Sequence, residues 1–357
     1  MTTIRIGLIG ASPGSNWGYS AHVPAIASVP GLRVSAVATT REASATEAAR
    51  LLGADAWFTD VDALANSEHV DVVAVSVKVP AHQKAIEAAL KAGKPVYCEW
   101  PLSLDAVQAR AAATLARERG VLAAVGLQAR QNPTVAHLAR LIEGGSLGEI
   151  RAIEAHATRA RGLATRRVTR SGAYTLDAAN GAGTREVLGG HLLGLVDRLE
   201  RVVSLSGTAL APQPETLTDD EGNVHRVTTP DTFVANGRLR GGGLLSMSWW
   251  DRDPDPRVRV VVHGTLSKAV LETPEGLNPA LVQPQMAPLR LRLISREGDT
   301  QVVEPEASDL TLVAQNVAAA WRCFADDLRN GTAFSATFDD AVRLHELLDA
   351  GVPRTVE

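Results

Sequence analysis

The sequence predicts an α/β chain in two parts. An N-terminal doubly wound parallel sheet covers residues 1–128, and a C-terminal α+β domain with a mainly antiparallel open sheet covers 129–357. Three observations carry this. From Ile4 to Val125, short apolar runs alternate with helical patterns, the mark of βαβ units. After Gly148, strand patterns follow one another through Gly-, Pro- and Asp-bearing connections, several too short for crossover helices. The first strand pattern, from Ile4 to Ile9, runs directly into a Gly-rich turn, Gly10 to Gly18.

In order, the first part reads as strand Ile4–Ile9, helix Ala21–Val29, strand Leu32–Ala38, helix Glu42–Leu52 and strand Ala54–Phe58. Asp60 is a fitting N-cap for a helix to Ala65. Asp71–Val77 is a continuous apolar strand. Helix Pro80–Ala92 is closed by Gly93 with Pro95 beyond it. Strand Pro95–Cys98, helix Ser103–Arg119 and strand Val121–Val125 complete the sheet, and the boundary falls near Leu127–Asn132. The second part opens with helix Asn132–Glu143. Strands are expected at Ile150–Ala157, Val202–Thr208, Thr232–Leu239, Gly243–Trp249, Val258–His263, Ser267–Glu272 and Leu289–Ser295. One helix, Val187–Leu199, interrupts them, and helices Leu310–Asn330 and Phe338–Ala350 close the chain.

Composition narrows the function classes. The length of 357 residues with 45% apolar content suits two cored domains. A net charge of −4 argues against general attraction to nucleic acid or membrane, and no apolar run reaches the ~18 residues a bilayer span needs. Cys98 and Cys323 form no metal-type spacing and the nine histidines are scattered, so no metal is expected. Arg5 interrupts the opening apolar run, against a signal peptide, and a reducing cytoplasmic setting fits.

A strand, a tight glycine turn and a helix N-terminus make an anion site, and the first assignment for Gly10, Ala11, Ser12 and Trp17 is a cradle for the pyrophosphate of a dinucleotide. Gly10-Ala11-Ser12-Pro13-Gly14 also matches the nucleophile elbow of serine hydrolases. That match fails because the oxyanion hole needs the N–H of the residue after the serine, and Pro13 has none. The second strand ends Thr39-Thr40-Arg41 with no acid before Glu42. Two hydroxyls and a guanidinium suit a ribose 2′-phosphate, which favours NADP over NAD.

The run Lys94 to Leu102, KPVYCEWPL, resembles the glucose–fructose oxidoreductase / inositol dehydrogenase (Gfo/Idh/MocA) family, where Glu-Lys-Pro follows a strand. Ala21-His22-Val23-Pro24-Ala25, Asp71–Val77 with His82, Ala92-Gly93-Lys94, Gly144–Ile150 and Gly189-Gly190-His191 resemble further family segments. Trp17-Gly18 with Glu99-Trp100-Pro101 looks nearest a branch similar to the fungal galactose-regulon repressor and its bacterial relatives. The resemblance implies a Rossmann domain and NAD(P)-dependent oxidation or reduction of a sugar-like hydroxyl, carbonyl or imine substrate. It also implies a homodimer or homotetramer joined through the C-terminal sheet.

The family's usual Lys, and an Asp four residues before a His, are replaced here by Trp100 and Val187, and His191 alone is kept. His191 is therefore the first proton-transfer candidate, its ordinary pKa near 6.5 suiting either direction. Lys78, just past a strand's carboxyl end, and Tyr174, in the loop before the site helix, stand behind it. Val77, His82, Glu99 and Gln128 are expected near the cofactor, and Trp100 is either a flat wall against the nicotinamide or a packing residue filling the lost Lys's space. The Arg159–Arg170 run reads as an anionic-substrate contact or as a solvated loop paired with a partner subunit's acids. Two other readings stay open: a regulatory dinucleotide-binding protein without turnover, and a redox-neutral enzyme using bound NAD(P).

Overall fold

In the computed structural model, residues 3–14, 16–160, 167–212 and 215–355 are described. The chain divides into two compact units, Met1–Leu127 with Ser308–Arg343, and Gln128–Ala307 with Leu344–Glu357. This differs from contiguous domains meeting at 128/129: the penultimate helix returns to the first unit, and Gln128 opens the second. The reason lies in that helix, α8 (Leu312–Asn330), whose Ala314, Val317, Ala318, Trp321, Phe324 and Ala325 recur at helical spacing and are buried. From Val317 to Ala325 they join one core with Ile6, Leu8, Ile26 and Val37 of the first unit.

The first unit is built on six strands: β1 (Ile4–Ile9), β2 (Leu32–Ala38), β3 (Ala56–Phe58), β4 (Val72–Val75), β5 (Val96–Glu99) and β6 (Ala123–Gly126). They pair in parallel in the order β3-β2-β1-β4-β5-β6, the doubly wound arrangement. The chain reverses direction across the sheet between β1 and β4, so a crevice opens at the carboxyl ends of those two strands. Between the strands run α1 (Val23–Ala27), α2 (Glu42–Leu52), α3 (Val61–Ala65), α4 (His82–Lys91) and α5 (Ala106–Arg119). Helix α5 starts at Ala106, three residues after the expected Ser103, because Asp105 caps it by accepting the Gln108 N–H at 2.9 Å.

In the second unit, α6 (Pro133–Glu143) leads into an eight-stranded sheet. Its strands are β7 (Ile150–Arg159), β9 (Val202–Leu210), β12 (Thr232–Leu239), β13 (Leu244–Asp251), β14 (Val258–Gly264), β15 (Ser267–Glu272), β16 (Arg290–Ser295) and β17 (Thr300–Val303). The order is β17-β16-β15-β14-β7-β13-β12-β9, antiparallel except for β7 beside β13. One face is buried through Phe233, Ala235, Leu245, Met247 and Trp249. Its neighbours in register, Val234, Leu244 and Trp250, lie on the other face and are exposed. A small sheet of β8 (Arg167–Val168), β10 (Thr216–Asp219) and β11 (Val224–Arg226) was not anticipated. Helix α7 (Gly190–Leu199) belongs to this unit, and α9 (Phe338–Gly351) closes the chain's helices. Among the described residues no helix is long and apolar enough to cross a membrane.

Candidate functional site

At the end of β1, Gly10 has φ +99°, and a methyl group added there would fall on the carbonyl of Ser76, just past β4. Only glycine lets these two strand ends approach so closely. Gly18 works the same way one step later: an added Cβ would sit 2.6 Å from the Gly10 carbonyl oxygen. The chain between them is held by Asn16. Its Oδ1 accepts the Tyr19 N–H at 2.8 Å, and its Nδ2 donates to the Ser12 carbonyl. From Gly18 the chain winds through a π-helical turn, Gly18–His22, into α1. Gly14, by contrast, has open space around it. Gly10 and Gly18 therefore do the work expected of fingerprint glycines, a tight turn and a close helix approach. Ala11 is fully buried and presents no surface to a ligand, against its expected place in the cradle, while Ser12 and Trp17 are half-buried.

Two buried polar atoms at this turn lack a hydrogen-bond partner among the described residues: Trp17 Nε1 and Ser76 Oγ, the latter 3.3 Å from where a Gly18 Cβ would stand. Buried donors are rarely left unpaired in a folded chain. A cradle that only glycine permits, beside two unspent donors, fits a dinucleotide backbone.

The remaining first-unit residues divide by what their polar groups already do. Thr39 and Ser44 hydroxyls lie 2.6 Å apart, and both reach the Arg41 carbonyl, at 3.0 and 2.9 Å. The Thr39 hydroxyl is thus spent on shaping the entry to α2, which corrects its expected role as a phosphate donor. Thr40 and Arg41 are exposed at the same corner. Val77 is half-buried and Lys78 exposed, at the carboxyl end of β4. His82 departs from expectation: it is 1% exposed, its Nε2 lies 3.0 Å from the Val77 carbonyl, and its Nδ1 lies 3.3 Å from the Leu102 carbonyl and 3.4 Å from Cys98 Sγ. Burial lowers its pKa and raises that of the Cys98 thiol, so the thiol keeps its proton. His82 pins the strand end and presents nothing to a ligand. Glu99 ends β5 with its carboxylate nearly enclosed, and Trp100 beside it is 4% exposed.

In the second unit, His191 lies in the first turn of α7, directly after a π-helical turn, Arg185–Gly189. Gly189 lets this segment close on the Phe233 ring, 2.8 Å from where a Cβ would stand. His191 is 3% exposed and its Nδ1 has no hydrogen-bond partner among the described residues. Burial alone lowers its pKa to about 3, well below the value near 6.5 expected from sequence. The charges beside it are already paired: Glu186 with Arg185 at 3.3 Å and Arg354 at 3.6 Å, and Arg185 with Asp349 at 2.6 Å. Gln128 is fully buried in a single turn, Gln128–Gln131, packed against α7. Tyr174 lines an open cavity of about 630 Å³ on the small sheet, with Arg170, Asp219 and His225 among its neighbours.

Of the arginine run, residues 161–166 lie outside the described residues. Arg159 forks onto Asp251 at 3.0 and 2.7 Å, where Thr184 and Trp249 also donate, and Arg170 pairs with Glu221 of its own chain at 2.7 Å. Those two are committed within the chain. Among the described residues no group of three or more His, Cys, Asp or Glu side chains is gathered for a metal ion.

Two family models match the chain. One, an oxidoreductase family with an NAD-binding Rossmann fold, covers residues 4–127, and the GFO/IDH/MocA C-terminal domain covers 135–270. The chain belongs to the Gfo/Idh/MocA oxidoreductase family. Within that family it is 30% identical to the dehydrogenase aclE of Aspergillus oryzae, over 97% of this chain and 94% of that one. It is 26% identical to the galactose/lactose metabolism regulatory protein GAL80 of Saccharomyces cerevisiae, over 76% of this chain and 67% of that protein. The solved super-repressor mutant of Gal80p superimposes with a TM-score of 0.85 at 22% identity, covering 98% and 95% of the two chains. Levoglucosan dehydrogenase, solved with NADH and levoglucosan, superimposes at 0.82 and 18% identity, covering 98% and 96%. The Gfo/Idh/MocA fold is thus shared with dehydrogenases and with a regulator alike.

Two residues and one pairing that matter at this site escaped the sequence reading: Ser76, Asn16, and the contact of His22 with Trp321. Ser76 lay inside what reads as a continuous apolar strand. The partner of His22 lies 299 positions away, beyond any local pattern.

Proposed function

We propose that this protein is an NADP(H)-preferring oxidoreductase that moves a hydride between the nicotinamide and a small hydroxyl, carbonyl or imine substrate. The observation that carries the proposal is the turn at Gly10–Gly18, shaped so that only glycine fits at Gly10 and Gly18, with donors at Trp17 and Ser76 that have no partner among the described residues. Gly10 to Gly18 hold the pyrophosphate, Thr40 and Arg41 receive a 2′-phosphate, and Val77, Glu99 and Trp100 flank the nicotinamide half. The cofactor supplies the hydride chemistry. His191 serves the substrate's proton. Burial lowers the pKa of this imidazole to about 3, so at pH 7 it is unprotonated and can offer a ring nitrogen as hydrogen-bond acceptor to a substrate hydroxyl. Lys78 and Tyr174 are the alternatives for that proton.

A regulatory reading is favoured by a separate observation. Trp100 and Val187 occupy the two positions where the resemblance expects a Lys and an Asp, and GAL80 is among the relatives. Binding and turnover separate the two. Calorimetric titration with NADPH and NADH, followed by nicotinamide absorbance across sugars, polyols, aldehydes and imines, gives binding with turnover for the enzyme. It gives binding without turnover for the regulator. For cofactor choice, Arg41→Ala raises the NADPH dissociation constant about tenfold and leaves NADH nearly unchanged. Equal losses for both cofactors would remove Arg41 from 2′-phosphate recognition. A second copy of the chain is the proposed partner for the exposed sheet face around Val234, Leu244 and Trp250.

A further inference from the structure

Glu99 is 8% exposed, and a carboxylate at that depth needs a donor aimed at it. One donor is His22, in the π-helical turn after the glycine cradle, with Nε2 2.8 Å from Glu99 Oε1. His22 is fully buried, and its other nitrogen is met from α8: Trp321 Nε1 lies 3.0 Å from His22 Nδ1. An indole N–H can only donate. Nδ1 must therefore accept, the ring proton sits on Nε2, and Nε2–H must donate to Glu99. The arrangement dictates the tautomer. Trp321 is itself fixed, stacked on Tyr97 at 4.5 Å between ring centroids and set edge-on to Phe324 at 5.8 Å. Tyr97 lies two residues before Glu99 on β5, so one strand carries both the stacking platform and the carboxylate.

We propose that Trp321 and His22 are positioning residues that orient Glu99 toward a hydroxyl of the bound dinucleotide. The proposal rests on the reading of the first unit as a dinucleotide site. In a doubly wound sheet one mononucleotide half lies over each βαβαβ half. The Arg41 corner follows β2, on the adenylate side. Glu99 ends β5, on the other, so its target is a ribose hydroxyl of the nicotinamide half. The relay gives α8 a second role: it covers the sheet and also delivers, from the far end of the chain, the group that sets the His22 tautomer.

A double-mutant cycle on NADPH affinity, measured by calorimetry on the full chain, tests this. His22→Leu and Glu99→Gln each weaken binding about tenfold, and the double variant is no weaker than Glu99→Gln alone. Trp321→Phe keeps the stack on Tyr97 but removes the donor, and weakens binding roughly three- to tenfold. His22→Gln can accept through its carbonyl and donate through its amide, so it recovers most of the affinity lost in His22→Leu. Additive losses in the double variant would overturn the relay, as would a His22→Gln no better than His22→Leu among variants of matched melting temperature. If His22→Leu does not fold, Trp321→Phe and His22→Gln carry the comparison: unchanged affinity in Trp321→Phe overturns the proposal. A wild-type chain that binds no dinucleotide defeats the cradle and the relay together, whereas a binding wild type with an additive cycle defeats the relay alone.

Discussion

Gly10, Gly14 and Gly18 share a residue type and little else. Gly18 faces the Gly10 carbonyl at a distance no Cβ tolerates, while Gly14 has open space and only its φ of +122° to protect. Gly18→Ala is expected to weaken NADPH at least tenfold by pushing the helix start off the turn. Gly14→Ala costs about 1–2 kcal/mol of stability and leaves affinity near wild type. Calorimetry and urea unfolding on the two variants check the contrast. His191 makes a prediction of a different kind. Burial holds its pKa at about 3, against about 6.5 in the unfolded chain, so between those values the unfolded chain binds the extra proton. The stability of the folded form is fully present above about pH 6.5 and falls as pH drops, by up to about 1.4 kcal/mol per unit. His82 and His156, also lowered by burial, add with the same sign. Urea unfolding at pH 7 and pH 5 should show a steeper decline for wild type than for His191→Leu. Equal slopes would mean the ring is hydrated.

At the scale of elements, what could be read from sequence was whatever depends on near neighbours. The alternation from Ile4 to Gly126 and the helices ending at Gly53 and Gly120 are local, and both glycines adopt the left-handed conformation of a C-cap. The β8–β10–β11 sheet was missed because its strands are two to four residues long, too short for any alternation to register. The return of α8 to the first unit was missed because an amphipathic face announces burial without naming its partner. The same limit hid the His22–Trp321 contact, though His22 lay inside a recognised motif. The loop after α8 shows how such a return is anchored. Asp327, 2% exposed, accepts from Thr332 Oγ1 at 2.6 Å, the Phe334 N–H at 3.0 Å and the Ser335 N–H at 2.7 Å. Burial alone would raise its pKa, but these donors outweigh it and the pKa is lowered. Asp327→Ala should cost about 2–3 kcal/mol in urea unfolding at pH 7. The gap holds above about pH 4 and closes only as acid protonates Asp327 in the folded form.

For the whole molecule, the open sheet face is the proposed subunit contact. Trp250 is 38% exposed with its ring 4.3 Å from that of His156, and Leu210, Val234 and Leu244 are exposed on the strands around it. Trp250→Arg should shift the chain toward monomer in light scattering without lowering its melting temperature by more than a few degrees. An unchanged mass would move the subunit contact elsewhere. The central claim is that the first unit holds a dinucleotide in the turn between Gly10 and Gly18. The most direct measurement is calorimetric titration of NADPH and NADH into the wild-type chain and into Gly10→Ala, with folding of the variant checked by circular dichroism. Saturable one-site binding by wild type, tighter for NADPH and lost in a folded Gly10→Ala, is the expected result. No binding by wild type, or undiminished binding by the variant, would contradict it.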